Sequence, residues 1–142
     1  MRIALLAAAL AALTACDDQF NYNKNLAPDV PIGNDYCSIE ALFESECFIC
    51  HSASAATAGL DLETDLHAEV VDQSSSSGGT YVVPGDSANS ELYQRVSSTG
   101  PFASSGVMPP GSGLSSDAAK AVAEWIDNGA TTDCGGDTAA TN

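Results

Sequence analysis

Cys47-Phe48-Ile49-Cys50-His51 constrains this chain more than any other stretch. On a helical turn, side chains at i, i+3 and i+4 leave the same face. That face suits a flat porphyrin. Two thiols can add to two vinyl groups while the adjacent imidazole reaches iron from one side, and Cys-x-x-Cys-His is the attachment signature of c-type haem. Other uses of the motif stay open. A redox disulfide of the thioredoxin kind needs strands around a βαβ unit, which the pattern lacks. A zinc site needs a fourth ligand, from His67 or another Cys. A structural disulfide between residues three apart on a helix is strained.

The periodicity predicts a helix over residues 38–48 leading into the motif. Ser38 can cap it, Glu40 sits in its first turn, and Ile39, Leu42, Phe43 and Cys47 mark one face. A second helix is predicted over 115–128, capped by Ser115, with Ala118, Ala121, Val122, Trp125 and Ile126 as its stripe and Gly129 as its stop. Shorter helices are predicted over 64–71, with Leu66, Val70 and Val71 inward, and over 87–96, with Leu92, Tyr93 and Val96 inward. The Ser/Gly-rich stretches 74–79 and 97–106 read as loops. Tyr81-Val82-Val83 is a strand fragment, but one strand does not make a sheet. The expected class is all-α with long loops.

The ends of the chain read as an address and a tether. Met1-Arg2 is a positive start, residues 3–13 are apolar and too short to span a bilayer comfortably, and Leu13-Thr14-Ala15 precede Cys16. Residues 1–15 therefore resemble a bacterial lipoprotein signal peptide, with Cys16 becoming the acylated first residue; an ordinary signal peptide followed by a Cys is the alternative. Several acyl chains would anchor the protein stably. Residues 16–36, rich in Asn, Asp and Pro, read as a flexible tether reaching about 25 Å. The domain is expected over 37–134 and a loose tail over 135–142. The address predicts export to the periplasmic face of the inner or outer membrane.

Composition narrows the partners. Nineteen acidic residues against four Lys and Arg give a net charge of −15 over 142 residues. That excess argues against nucleic acid, which needs clustered cations, and repels anionic lipid, so the acyl group is the expected membrane contact. Much of the apolar content lies in residues 1–15, and what remains makes a thin core, of the kind that a staple or a cofactor supplements.

The remaining ligands and cysteines follow. Beyond Met1 the one methionine is Met108, in Val107-Met108-Pro109-Pro110-Gly111, where two prolines stiffen the loop. Its setting favours a distal iron ligand over a gap-filling core residue. His67 is the rival sixth ligand, and an open or water-bound iron would mean reactivity with small ligands. Cys37 and Cys134 are left, one at each end of the domain. In an oxidising compartment they are expected to form a disulfide, worth up to about 4 to 5 kcal/mol in the chain-entropy model; two free thiols are the alternative. Asp61, Glu63, Asp65, Glu69 and Asp72 read more simply as a solvated acidic face than as a calcium site.

Together, the helix into Cys-x-x-Cys-His, the Met-Pro-Pro loop and the final helix with its Trp resemble the class I cytochrome c fold. More narrowly, four stretches are similar to the Planctomycete-type cytochrome c domain, over roughly residues 39–130. They are Gly59-Leu60-Asp61-Leu62; Val83-Pro84-Gly85-Asp86 with Ser90-Glu91-Leu92-Tyr93; Met108-Pro109-Pro110; and Leu114-Ser115 through Trp125-Ile126-Asp127-Asn128-Gly129-Ala130. A second glycine usual in that family before Gly59 is here Ala58.

The resemblance implies a small cytochrome c-like fold around one covalent haem c, held by Cys47 and Cys50, with His51 proximal and Met108 distal. It implies that the first and last helices cross beside the haem edge, near Trp125 and Leu42 or Phe43. It makes the Pro84 carbonyl a candidate acceptor for the proximal His, and Ile49, Val82, Val83, Leu92 and Phe102 candidates to cover the porphyrin. The expected function is a lipid-anchored periplasmic carrier of single electrons rather than an enzyme. It would dock through the haem edge near Cys47 and Cys50 to redox partners with a basic patch. The alternative is a haem-based small-ligand binding or sensing module with an open or labile sixth position; a third reading is a structural lipoprotein without haem.

Overall fold

The computed structural model describes residues 32–135. The signal peptide, Cys16, the tether up to residue 31 and the tail beyond residue 135 lie outside the described residues. The first helix, α1 (Tyr36–Glu46), starts earlier than expected because Asp35, not Ser38, caps it. The Asp35 carboxylate accepts from the Ser38 amide at 3.1 Å and from the Ser38 hydroxyl at 2.8 Å. A charged acceptor is favoured at the positive end of the helix, so Ser38 becomes a donor in the first turn. Those hydrogen bonds from Ser38 hold the Asp35 carboxyl below its usual range.

Four further helices follow: α2 (Phe48–His51), α3 (Leu66–Val70), α4 (Glu91–Val96) and α5 (Ser116–Asp127), with 3-10 turns at Thr57–Gly59 and Ser87–Asn89. Asp65 caps α3 through the Ala68 amide at 2.9 Å, and Ser115 caps α5 through the Ala118 amide at 3.2 Å. Among the described residues, β structure is limited to isolated bridges, Val71 with Val82 and Ser74 with Thr80. Tyr81-Val82-Val83 thus joins no sheet, and the class is all-α. Among the described residues, no helix is long and apolar enough to cross a membrane.

The core is built around α5. Its stripe, Ala118, Ala119, Ala121, Val122, Trp125 and Ile126, is buried with Ile39 and Phe43 of α1, Leu66 and Val70 of α3, and Leu92 and Val96 of α4. The helices that flank the haem motif and end the domain therefore pack on one another, with Phe43 and Trp125 in the shared core. Residues 131–134 then run back to the start of α1. The Tyr36 amide donates to the Asp133 carbonyl at 3.0 Å, and the Trp125 indole N–H donates to the Thr131 carbonyl at 3.0 Å. Cys37 and Cys134 are disulfide-bonded, with Cα atoms 5.0 Å apart and a sequence separation of 97.

Candidate functional site

The chain breaks its helix at the motif. α1 ends at Glu46, Cys47 departs from helical geometry at φ −120°, and a new turn, α2, begins at Phe48. The Cys47 amide still closes α1 on the Phe43 carbonyl at 2.8 Å, while its own carbonyl accepts from Cys50 at 3.1 Å and His51 at 2.9 Å. Cys47 is thus a hinge that belongs to both helices and fixes where the next turn points. Cys47 is half-buried against the core, Cys50 is exposed, and neither is in a disulfide. Ile49, between them, is 68% exposed, an unusual place for a large aliphatic side chain.

His51 is held from two directions. Its backbone carbonyl accepts from the Leu62 amide at 2.7 Å, and its Nδ1 lies 3.3 Å from the Leu60 carbonyl oxygen. A carbonyl only accepts, so Nδ1 carries the proton and Nε2 keeps its lone pair for a metal. This second interaction fixes the orientation of the ring. The acceptor is Leu60, not Pro84. Gly59-Leu60-Asp61-Leu62 returns directly beside the motif, whereas the segment after Pro84 is tied to α5 through the Gly85 amide and the Ile126 carbonyl at 2.7 Å.

The turn that delivers Leu60 uses left-handed backbone at Ala56 (φ 34°), Ala58 (φ 58°) and Gly59 (φ 78°). Ala58 therefore occupies a conformation that glycine adopts without strain. Burial, with Glu46 and Cys50 adding to it, pushes the Cys47 thiol up to about 12, so it stays protonated at neutral pH. Burial also raises the Glu46 carboxyl above its ordinary value.

Met108 is half-buried in the loop between α4 and α5. Its amide donates to the Arg95 carbonyl at 2.8 Å, and the Leu114 amide donates to the Val96 carbonyl at 2.9 Å. The Met108–Pro109 peptide is cis. Arg95 does more than lend its carbonyl. Its Nε donates to Glu91 at 2.7 Å, its Nη1 to the Gly106 carbonyl at 3.2 Å, and its guanidinium lies 4.0 Å over the Phe102 ring. Glu91 is buried, and it also accepts from the hydroxyls of Ser75 and Ser77. Burial pushes its carboxyl up, but the hydrogen bonds from Ser75, Ser77 and Arg95 outweigh that and leave it below the usual range.

His67 lies elsewhere. Its ring packs edge-on against Tyr36, with centroids 6.3 Å apart, at the end of α1 opposite Cys47. The acidic stretch is spent on backbone. Asp61 accepts from the Glu63 and Thr64 amides, Glu63 from the Ala53 amide, and Asp65 caps α3. Among the described residues, no group of three or more His, Cys, Asp or Glu side chains is placed to hold a metal ion. The zinc and calcium alternatives therefore find no ligand set there. Of the residues expected to cover a porphyrin, Val82 and Leu92 are buried in the protein core, and Phe102 is stacked under Arg95.

Residues 47–112 match the family described as Planctomycete cytochrome C. Over this segment the chain is similar to that family, and the similarity suggests a haem-based electron-transfer role. No curated protein and no solved structure matches the chain. The turn fits the haem c that the family implies: an uncombined thiol at its N-cap, Cys47, and a second, Cys50, within it beside an imidazole with a free Nε2.

The sequence pattern did not single out Leu60 as an acceptor or Arg95 as a hub. A backbone carbonyl leaves no trace in side-chain chemistry. Arg95 did leave one: it is the only Arg after residue 2 and stands four residues beyond Glu91, the spacing of a helical ion pair.

Proposed function

We propose that the chain is an exported, lipid-anchored cytochrome with one covalent haem c that carries single electrons between redox partners. The observation that carries this reading is the α2 turn, with Cys47 at its N-cap, Cys50 and His51 within it, and the imidazole oriented by Leu60. When bound, the haem supplies a ferrous–ferric couple. Cys47 and Cys50 would hold it through thioethers, His51 through Nε2, and Met108 through its sulfur on the other side. Were His51 and Met108 both to hold the iron, no place would remain on it for a substrate, which supports a carrier rather than an enzyme.

Cys16 would take the lipid and hold the domain at the periplasmic face of the inner or outer membrane, where an oxidising compartment suits the Cys37–Cys134 bond. The acidic surface favours partners with a basic docking patch, and their association should slow as salt rises. Carbon monoxide is the test of the coordination. The reduced protein should bind it slowly and its Met108→Ala variant rapidly. Rapid binding by the parent protein would contradict Met108 ligation and favour a small-ligand sensor. Incorporation of labelled palmitate, lost in Cys16→Ala, tests the anchor.

A further inference from the structure

We infer that Arg95 is a positioning residue that clamps the Met108 loop and so sets how often the Met108 sulfur leaves the haem iron. This rests on the proposed ligation by Met108. Residues 97–106 of the loop between α4 and α5 are rich in Ser and Gly. Arg95 fastens it at two points, beside the backbone bond from Leu114 to Val96.

The Arg95 carbonyl accepts from the Met108 amide at 2.8 Å, fixing the backbone at the ligand itself. The Arg95 side chain then crosses the loop. It donates to the Gly106 carbonyl at 3.2 Å, two residues before Met108, and covers the Phe102 ring at 4.0 Å. A side chain at position 106 would crowd this contact, since a Cβ there would stand 2.9 Å from Arg95 Nη1.

The guanidinium is itself held. Glu91, one turn back on α4, receives its Nε at 2.7 Å and is braced by the hydroxyls of Ser75 and Ser77 from a separate loop. The arrangement is therefore a braced carboxylate on one side and a Ser/Gly-rich loop on the other, joined by a planar group with several fixed donors. Lys could not reproduce it, because one ammonium cannot stack on Phe102 while donating in two directions.

An incoming ligand can reach the iron only while the thioether is off. Its rate of binding therefore reports the fraction of time the loop is displaced. In the holoprotein, Arg95→Gln should speed carbon monoxide binding to the reduced form roughly tenfold, the loss expected from one charge-assisted hydrogen bond and one cation–π contact. The sulfur-to-iron charge-transfer band of the oxidised form should weaken in parallel.

Phe102→Leu keeps the Glu91 pair and removes only the stacked ring; it should give a smaller increase of the same sign. Lys120→Ala, an exposed change on α5 that removes only the ion pair with Glu124, should leave both readouts unchanged. Unchanged carbon monoxide rates in Arg95→Gln and Phe102→Leu, with Met108→Ala fast, would overturn the clamp and leave the ligation standing. Equal rates in Met108→Ala and the parent protein would overturn the ligation, and the clamp's role toward the haem with it. If Arg95→Gln does not yield holoprotein, Phe102→Leu decides alone.

Discussion

The α1–α5 side of the domain and the Arg95 side are held by different forces. On the first, Ile39, Phe43, Val122, Trp125 and Ile126 are almost fully buried, and a disulfide joins Cys37 at the start of α1 to Cys134. On the second, a carboxylate, a guanidinium, two serine hydroxyls and a backbone carbonyl meet around a single stacked ring. Apolar packing is strong but directionless, so it sets how stable the domain is. A charged hydrogen-bond network is weaker in net terms but directional, so it sets where a loop sits. The Cys47–His51 turn lies at the junction: Cys47 packs on the apolar side, while Cys50 and Ile49 face outward.

That contrast can be tested from its strongest part to its weakest. Replacing Cys37 and Cys134 together by Ala should cost about 4 kcal/mol, because the closed loop is long. Urea unfolding of the oxidised parent and the double variant measures it. Phe43→Ala should cost about 3 kcal/mol by the same measurement, since the side chain is 1% exposed and its cavity cannot fill.

Glu91→Gln should cost less at neutral pH, about 1 to 2 kcal/mol, but should change the acid limb. The folded Glu91 carboxyl lies below its ordinary value of 4.5. Its stabilisation is therefore complete above that value and is lost as pH falls through the folded value. Asp35 and Asp61 act in the same direction. Thermal unfolding between neutral pH and about pH 3 should fall less steeply in Glu91→Gln than in the parent. The smallest change should be a gain. Ala58→Gly relieves a left-handed alanine, and it should stabilise by up to about 1 kcal/mol with the visible spectrum unchanged.

Much of the apolar side was legible in the sequence. The stripe Ala118, Ala121, Val122, Trp125, Ile126 has helical spacing, and its Ser115 cap is where the pattern predicts it. Ile39 and Phe43 are likewise readable as one face. The start of α1 was less so, because Asp35 and Ser38 are both good caps and the choice depends on geometry three residues apart. The motif residues carry their chemistry in their names and needed no structure to be noticed. Leu60 and Arg95 are different. One acts through a carbonyl that every residue has, and the other through contacts with Gly106 and Phe102 that come from loop conformation rather than periodicity.

The central claim is that the α2 turn carries a covalently bound haem. Intact mass under denaturing conditions, on protein made in a host that matures c-type cytochromes, tests it most directly. The account predicts the polypeptide plus one haem, and polypeptide alone for the Cys47→Ala, Cys50→Ala double variant. Bare polypeptide from the parent chain would contradict it.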